Sequence, residues 1–240
     1  MNQPLSQRVT DVRYPDLLWD FTEPHPFFYA GMHRAPESRM KVAVRPCYPH
    51  DRELVLGELE AMEAAFPIRR RPLMYLPHFD ADLSTRNAAT FEERLFNEPQ
   101  DEHGRWATRS FIVLYGKGTP IHPAVTRYLV SHEYGHAVAE VLAWHQNDRE
   151  EYRPTFFRHY AELRGLPPAP EHYGTTSWHL HPEEVFANDF RILVAQRELE
   201  FWPHPSIPRP EEVPVLSTWW AARAGEARHG RPPFSGLAAS

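Results

Sequence analysis

His132 and His136 stand four residues apart in "SHEYGHAVAEVL", with Glu133 directly after the first of them. On an α-helix, residues i and i+4 lie within about 40° of each other around the axis, so both imidazoles leave the same side and can share one cation. Glu133 sits where its carboxylate can reach a water on that cation and take its proton. This is the H-E-x-x-H spacing of zinc hydrolases. The chain carries 15 histidines, so the motif needs support from its surroundings. The flanks supply it: Val125, Tyr128, Leu129, Val138, Ala139 and Leu142 recur at helical spacing on both sides. Pro123 suits the first turn of a helix predicted to run to about His145. Gly135, just before the second histidine, has no side chain to crowd a site or a packed neighbour.

A hydrolytic zinc takes three protein ligands and keeps a position for water. Cys47 is the only cysteine, so a thiolate cluster is excluded and the ligands must be nitrogen and oxygen. The metzincin extension HExxHxxGxxH is absent, because Ala139 and Leu142 occupy its glycine and final histidine positions. A glutamate on a later helix is the other common supplier, and "WHLHPEEVFANDFRILV" offers Glu183 and Glu184 in a first turn. Glu183 shares its azimuth with Phe186, Phe190 and Val194, and Glu184 shares its own with Asn188 and Arg191. That comparison leaves both as candidates. Asn188, one turn after Glu184, suits orienting a ligand histidine.

Together, "HEYGH" and "EEVFANDFRIL" resemble the gluzincin metallopeptidases, in which a helix carrying E-x-F-A-x-x-F supplies the third ligand. Within them the pattern is most similar to the catalytic domain of the anthrax lethal factor and Pro-Pro endopeptidase group. A weaker likeness, through E-x-x-A-N-x-F, is to the metallopeptidases that cleave phage repressors and act in radiation response. The resemblance spans residues 107 to 195. It implies a zinc metalloendopeptidase with one Zn2+ held by His132, His136 and Glu184, with Glu133 as general base and a protein or peptide as substrate. It also implies a tyrosine shortly before the glutamate, to stabilise the oxyanion. Ser177 stands at the expected position; Tyr173 lies in the same loop, and His179 and His181 are alternative donors. Many gluzincins carry a carboxylate one turn after the ligand glutamate, where this chain has Asn188, with Asp189 one place later. By the same resemblance, the strand "SFIVLY" would offer an edge to an extended peptide.

The elements that must position these residues follow from the rest of the pattern. "RMKVAVRP" (39–46) alternates at period two, "RPLMYLP" (71–77) reads as a short strand, and "TRSFIVLYGKG" (108–118) is β-branched and aromatic. Helices are predicted at 50–66, 155–166, from Pro182 onward, and near "STWWAARAGEA". The segment 78–106 reads as a polar insertion with at most one helical turn at "TFEERLF". The expected fold class is α+β and zincin-like: a small mixed sheet packed against an active-site helix carrying HExxH and a second helix carrying a glutamate ligand. The expected organisation is a Pro/aromatic-rich arm (1–37), the metallopeptidase domain (38–200) and a Pro/Trp-rich tail (201–240), in which Trp219 and Trp220 read as packing anchors.

Composition narrows the function classes. At 240 residues, 42% hydrophobic and 13% aromatic, the chain can bury a substantial core. No apolar run reaches the roughly 20 residues of a membrane helix, and no signal peptide is legible, so a cytoplasmic protein without membrane partners is expected. A formal net charge of -6 with scattered Lys and Arg gives no footprint for nucleic acid. "GKGTP" lacks the spacing of a P-loop. His25, His33, His50, His78, His103, His159, His204 and His229 are scattered among loops and termini and read as surface or capping residues. The competing expectation is a non-catalytic, zinc-stabilised binding or structural module, such as a phage or effector component, in which a closed four-ligand shell staples helices together.

Overall fold

A computed structural model of the chain describes residues 18–21, 44–46, 51–68, 72–77, 79–81, 88–94, 108–114, 121–146, 152–166, 180–197, 204 and 206–229. Helix α1 (Arg52–Ala65) starts at Asp51, whose carboxylate accepts from the Leu54 amide at 2.9 Å and satisfies one of the four unpaired donors of a helix start. Val55, Leu56, Leu59 and Met62 recur at spacings of three and four and are buried. Helix α2 (Pro123–Gln146) begins on a proline, which lacks the amide that would go unpaired there. From Leu129 to Ala143 every side chain is buried except those of His136 and Val141, which are half-buried, so α2 is the central helix.

Helix α3 (Tyr152–Arg164) stops at Gly165, whose φ of +66° closes the last turn in the left-handed region. There the Leu166 amide donates to the Ala161 carbonyl at 2.9 Å and the Gly165 amide to the Glu162 carbonyl at 3.1 Å, a Schellman pair. Helix α4 (Pro182–Leu193) again places proline in its first turn, with Glu183 and Glu184 where the helix dipole favours negative charge. Helix α5 (Pro214–His229) belongs to the stretch read as a tail, and it buries Leu216 and Trp220 in the common core.

Aromatic packing joins the helices. Trp220 lies 4.8 Å from Phe186, 5.7 Å from Phe190 and 6.0 Å from Phe66, mostly in edge-on or tilted geometry that suits the ring quadrupoles. Phe156, Phe157 and Tyr160 of α3 close the other flank of Phe186. Polar ties fix the registers. The Tyr134 hydroxyl donates to the Phe66 carbonyl at 3.0 Å, and Arg197 grips the buried Glu58 through two bonds of 2.6 and 3.0 Å. Asp189 of α4 accepts from Arg164 Nε at 2.7 Å and from the Tyr160 hydroxyl at 2.5 Å, with both ion-pair side chains fully buried.

Short extended segments flank the helices: β1 (Leu18–Phe21), β2 (Val44–Pro46), β3 (Leu73–Pro77), β4 (Phe79–Ala81), β5 (Ala88–Arg94) and β6 (Thr108–Leu114). Their backbones pair in the order β1-β3-β6-β5, with β2 antiparallel to β4 apart from them. Two local expectations change. Residues 88–94, inside the stretch read as an insertion with at most a helical turn, are extended and lie antiparallel to β6, with Thr90 opposite Ile112. Residues 111–113 of β6 have backbone partners on both sides, so this part of "SFIVLY" does not present a free edge to a peptide. Residues 39–43 of the first predicted strand lie outside the described residues.

The expected fold class is corrected more broadly. Among the residues whose side chains are described, 72% are helical and a single strand, β6, contributes a row of side chains, so a small mixed sheet packed as a layer on the site helix is not shown. The physical reason lies in what covers the helices. The apolar faces of α1, α2, α4 and α5 bury one another through Met62, Phe66, Tyr134, Phe186, Phe190 and Trp220, and the frame of the site is helix on helix. Period-two alternation in the sequence marks extended backbone, and it carries no information on whether such segments form a packed layer. No described helix is long and apolar enough to cross a membrane.

The Asp189–Arg164 pair yields a stability test. Asp189→Asn keeps the side-chain shape but strands a buried guanidinium, and removing one partner of a buried pair costs about 3–5 kcal/mol. Urea denaturation of the variant is expected to show a loss of that size. A loss under about 1 kcal/mol, the range of an exposed pair, would mean that this bond does not hold α4 on α3.

Candidate metal centre

The site is made by two helices in backbone contact. A Cβ built on Gly135 would stand 2.9 Å from Ala187 Cα, 3.0 Å from the Ala187 carbonyl oxygen and 3.3 Å from its Cβ, so glycine alone fits where α2 meets α4. The obstructing atoms are mostly main chain and cannot turn aside. His132 lies three residues before this contact and His136 one after it, while Glu184 lies three before Ala187 on the facing helix. Both sets of side chains therefore converge beside the contact.

His132, His136 and Glu184 form a group in which one ligand atom from each lies within 4.8 Å of the others, the single such group of three or more His, Cys, Asp or Glu among the described residues. His132 Nε2 is 3.2 Å from one Glu184 oxygen and His136 Nε2 is 3.8 Å from the other. Zinc ligands at about 2.0–2.2 Å in a tetrahedron stand roughly 3.3 Å apart, so the observed spacings fit one ion with little movement. Two imidazoles and a carboxylate are also a donor set that zinc accepts. Burial by itself would raise Glu184, but the hydrogen bond to His132 and the positive charge available on His136 and His132 outweigh it and hold the carboxyl at about 2. Burial would depress His132, and the same Glu184 carboxylate reverses that and raises it. An ionised oxygen donor and two imidazoles thus already attract one another at the place where a cation would sit.

The surrounding shell fixes each group. Asn188 Oδ1 lies 3.3 Å from His132 Nδ1, while Asn188 Nδ2 donates to the Glu184 carbonyl at 3.1 Å and lies 2.9 Å from His204 Nε2. Thr90 of β5 donates its hydroxyl to Glu133 Oε2 at 2.7 Å, with the Glu133 carbonyl also in reach at 3.0 Å, so one oxygen of that carboxylate is held. Tyr128, one turn before His132, stacks on its ring at 5.7 Å with the planes 9° apart, and Arg191 places its guanidinium 4.4 Å above the Tyr128 ring. Burial lowers Arg191 to about 10, which leaves it a cation at neutral pH.

His132, His136 and Glu184 come together, with Glu133 on the same turn of α2 as His132; Glu183 is not part of the group. Asp189 turns to Arg164 and Tyr160 and leaves the position beside the ligands to Asn188. His181 is the buried N-cap residue of α4 and makes no side-chain cap bond. Tyr173, Ser177 and His179 lie outside the described residues. Two neighbours escape the sequence reading. Thr90 sits in the supposed insertion, where only the β-branched and aromatic pair Thr90–Phe91 hints at a strand. His204, read as a surface or capping histidine, is fully buried against Asn188.

The contact at Gly135 can be tested without any metal. Gly135→Ala forces its methyl into the Ala187 backbone and is expected to lower stability by about 1–3 kcal/mol, as overpacking does. Ala187→Gly should not rescue it, since the two nearest atoms remain. Chemical denaturation in the presence of a chelator reads both; a neutral Gly135→Ala would show that the helices have slack at this point. In comparison with known proteins, no family model, no curated protein and no solved structure matches the chain.

Proposed function

We propose that the protein is a zinc-dependent metalloendopeptidase of the gluzincin type, hydrolysing a peptide bond in a protein or peptide substrate, with His132, His136 and Glu184 as ligands to one zinc ion. The observation that carries the reading is the convergence of two imidazoles from α2 and an ionised carboxylate from α4, with Glu133 beside them and held by Thr90. The resemblance of "HEYGH" and "EEVFANDF" to the gluzincin motifs supports the same assignment. Zinc, when bound, supplies Lewis acidity to the scissile carbonyl and to the attacking water.

The chain's own residues do the rest. Glu133 is not among the ligands, so its carboxylate is available to take the proton of the attacking water and to deliver it to the leaving amine. Thr90 restricts the rotation of that carboxylate, which keeps it from swinging onto the ligands. Asn188 accepts from His132 Nδ1 and turns Nε2 toward Glu184 and the ion. Oxyanion stabilisation is part of the proposal without a fixed residue; Tyr173, His179 and His181 are the candidates. A cytoplasmic setting fits a chain whose only cysteine is Cys47.

The purified protein is expected to hold one equivalent of zinc after dialysis, read by elemental analysis. Glu133→Gln should hold the same zinc and lose hydrolysis of a proteome-derived peptide library by about 10²–10⁴-fold or more, the range of general-base catalysis. Thr90→Val should keep zinc and cut turnover about 10–100-fold, as losing an outer-shell partner does. Equal cleavage by wild type and Glu133→Gln removes Glu133 from the chemistry. A zinc-loaded wild type that cleaves nothing across diverse libraries points instead to a structural zinc module.

A further inference from the structure

His204 lies in a stretch whose prolines announce only a loop, yet its side chain is fully buried and its Nε2 is 2.9 Å from Asn188 Nδ2. Asn188 is itself fully buried and has a partner for each polar atom. Nδ2 gives one hydrogen to the Glu184 carbonyl at 3.1 Å and the other to His204 Nε2, while Oδ1 accepts from His132 Nδ1 at 3.3 Å. We propose that His204 is a positioning residue of the metal centre: by accepting the second amide hydrogen it holds Asn188 in the orientation that aims a carbonyl oxygen at His132, keeps that imidazole's proton on Nδ1 and leaves Nε2 for zinc. The inference rests on the zinc site proposed above.

The physical case is an inventory of donors and acceptors. A carboxamide has nearly the same shape after a half-turn about its last bond, so sterics do not choose between the two orientations. Turned over, Asn188 would set Nδ2 against His132 Nδ1 and require that nitrogen to accept. The neutral imidazole's proton would then have to sit on Nε2, on the lone pair a metal needs. Two acceptors oppose the turn, the Glu184 carbonyl and His204 Nε2, because each would then face Oδ1, lone pair against lone pair, in a buried site. The Glu184 carbonyl comes from the same helix, one turn back. His204 is sixteen residues beyond Asn188, so it is the tertiary part of the lock and couples the chain after α4 to the geometry of His132.

Zinc affinity, measured by competition with a chromophoric chelator, is to be compared for wild type, His204→Ala, His204→Gln, Asn188→Ala and the double variant. His204→Ala is expected to weaken binding about tenfold, the lower end for an outer-shell partner, because one of the two locks remains. His204→Gln, whose Oε1 can accept where Nε2 did, should recover most of it. Once Asn188 is alanine, removing His204 should cost nothing more, whereas a merely structural histidine would add its own loss. Additive losses, or a glutamine variant no better than alanine, overturn the inference.

A second readout needs no zinc. In proton NMR of the metal-free, ¹⁵N-labelled protein, with His132→Gln for assignment, the His132 Nδ1–H should be a slowly exchanging resonance in wild type and be lost or broadened in His204→Ala. If that resonance is present and responds but no zinc is taken up, the zinc reading falls and the positioning of His132 by His204 stands. If zinc binds but the resonance is missing, or is unchanged in His204→Ala, the site stands and this inference falls. Should His204→Ala not fold, the glutamine variant and the wild-type resonance decide.

Discussion

The whole arrangement depends on two helix backbones touching where Gly135 meets Ala187. With side chains at the crossing, helix axes keep the usual 8–10 Å apart, and glycine permits a closer approach. That closeness lets the carboxylate of Glu184 reach imidazoles on the neighbouring helix at 3.2 and 3.8 Å. It also fixes the rotation of α4, since at about 100° per residue every face of that helix has a separate task. Phe186 and Phe190 enter the aromatic cluster with Trp220, Asp189 binds Arg164 and Tyr160, and Glu184 and Asn188 face the histidines. A rotation large enough to offer Glu183 in place of Glu184 would pull the two phenylalanines from the core and separate a buried ion pair. The choice between adjacent glutamates is thus made by the packing of α4, at the Gly135 crossing and on its other faces.

Around this crossing, electrostatics and aromatic stacking prepare the donors. Glu184 would be expected to climb on burial, yet the imidazoles keep it at about 2, so it meets a cation already ionised. His132 is held on three sides: Tyr128 against its ring face, Asn188 at Nδ1 and Glu184 at Nε2. Arg191, a buried cation, lies above Tyr128 and there opposes the influence of Glu184 and Glu133 on the phenol. Such outer contacts convert a pair of histidines at helical spacing into an oriented pair, which is what metal affinity responds to.

Much of the helical frame is legible in the sequence because its signals are local. The prolines at 123 and 182 mark helix starts, and the apolar spacing from Val125 to Leu142 announces a helix that puts His132 and His136 on one side. The choice between Glu183 and Glu184 is not local: azimuth alone points each way, and the crossing at Gly135 decides which faces α2. The contributions of Thr90 and His204 are less legible still. Thr90 acts across 43 residues and His204 across sixteen, and neither separation leaves a periodicity. The sheet layer expected from alternating segments is not shown, because alternation predicts extended backbone without saying what the helices pack on, and here most of the core side chains come from helices.

The central claim is that one zinc sits between two imidazoles and a carboxylate with a position left for water. X-ray absorption at the zinc edge, on the zinc-loaded protein in solution, tests it directly. The expected spectrum has two imidazole nitrogens at about 2.0–2.1 Å and two further oxygen scatterers at about 2.0–2.2 Å, one from Glu184 and one from solvent. Three or more imidazoles, or a sulfur scatterer near 2.3 Å, would contradict it, the first by closing the shell as in a structural site and the second by bringing Cys47 into the coordination.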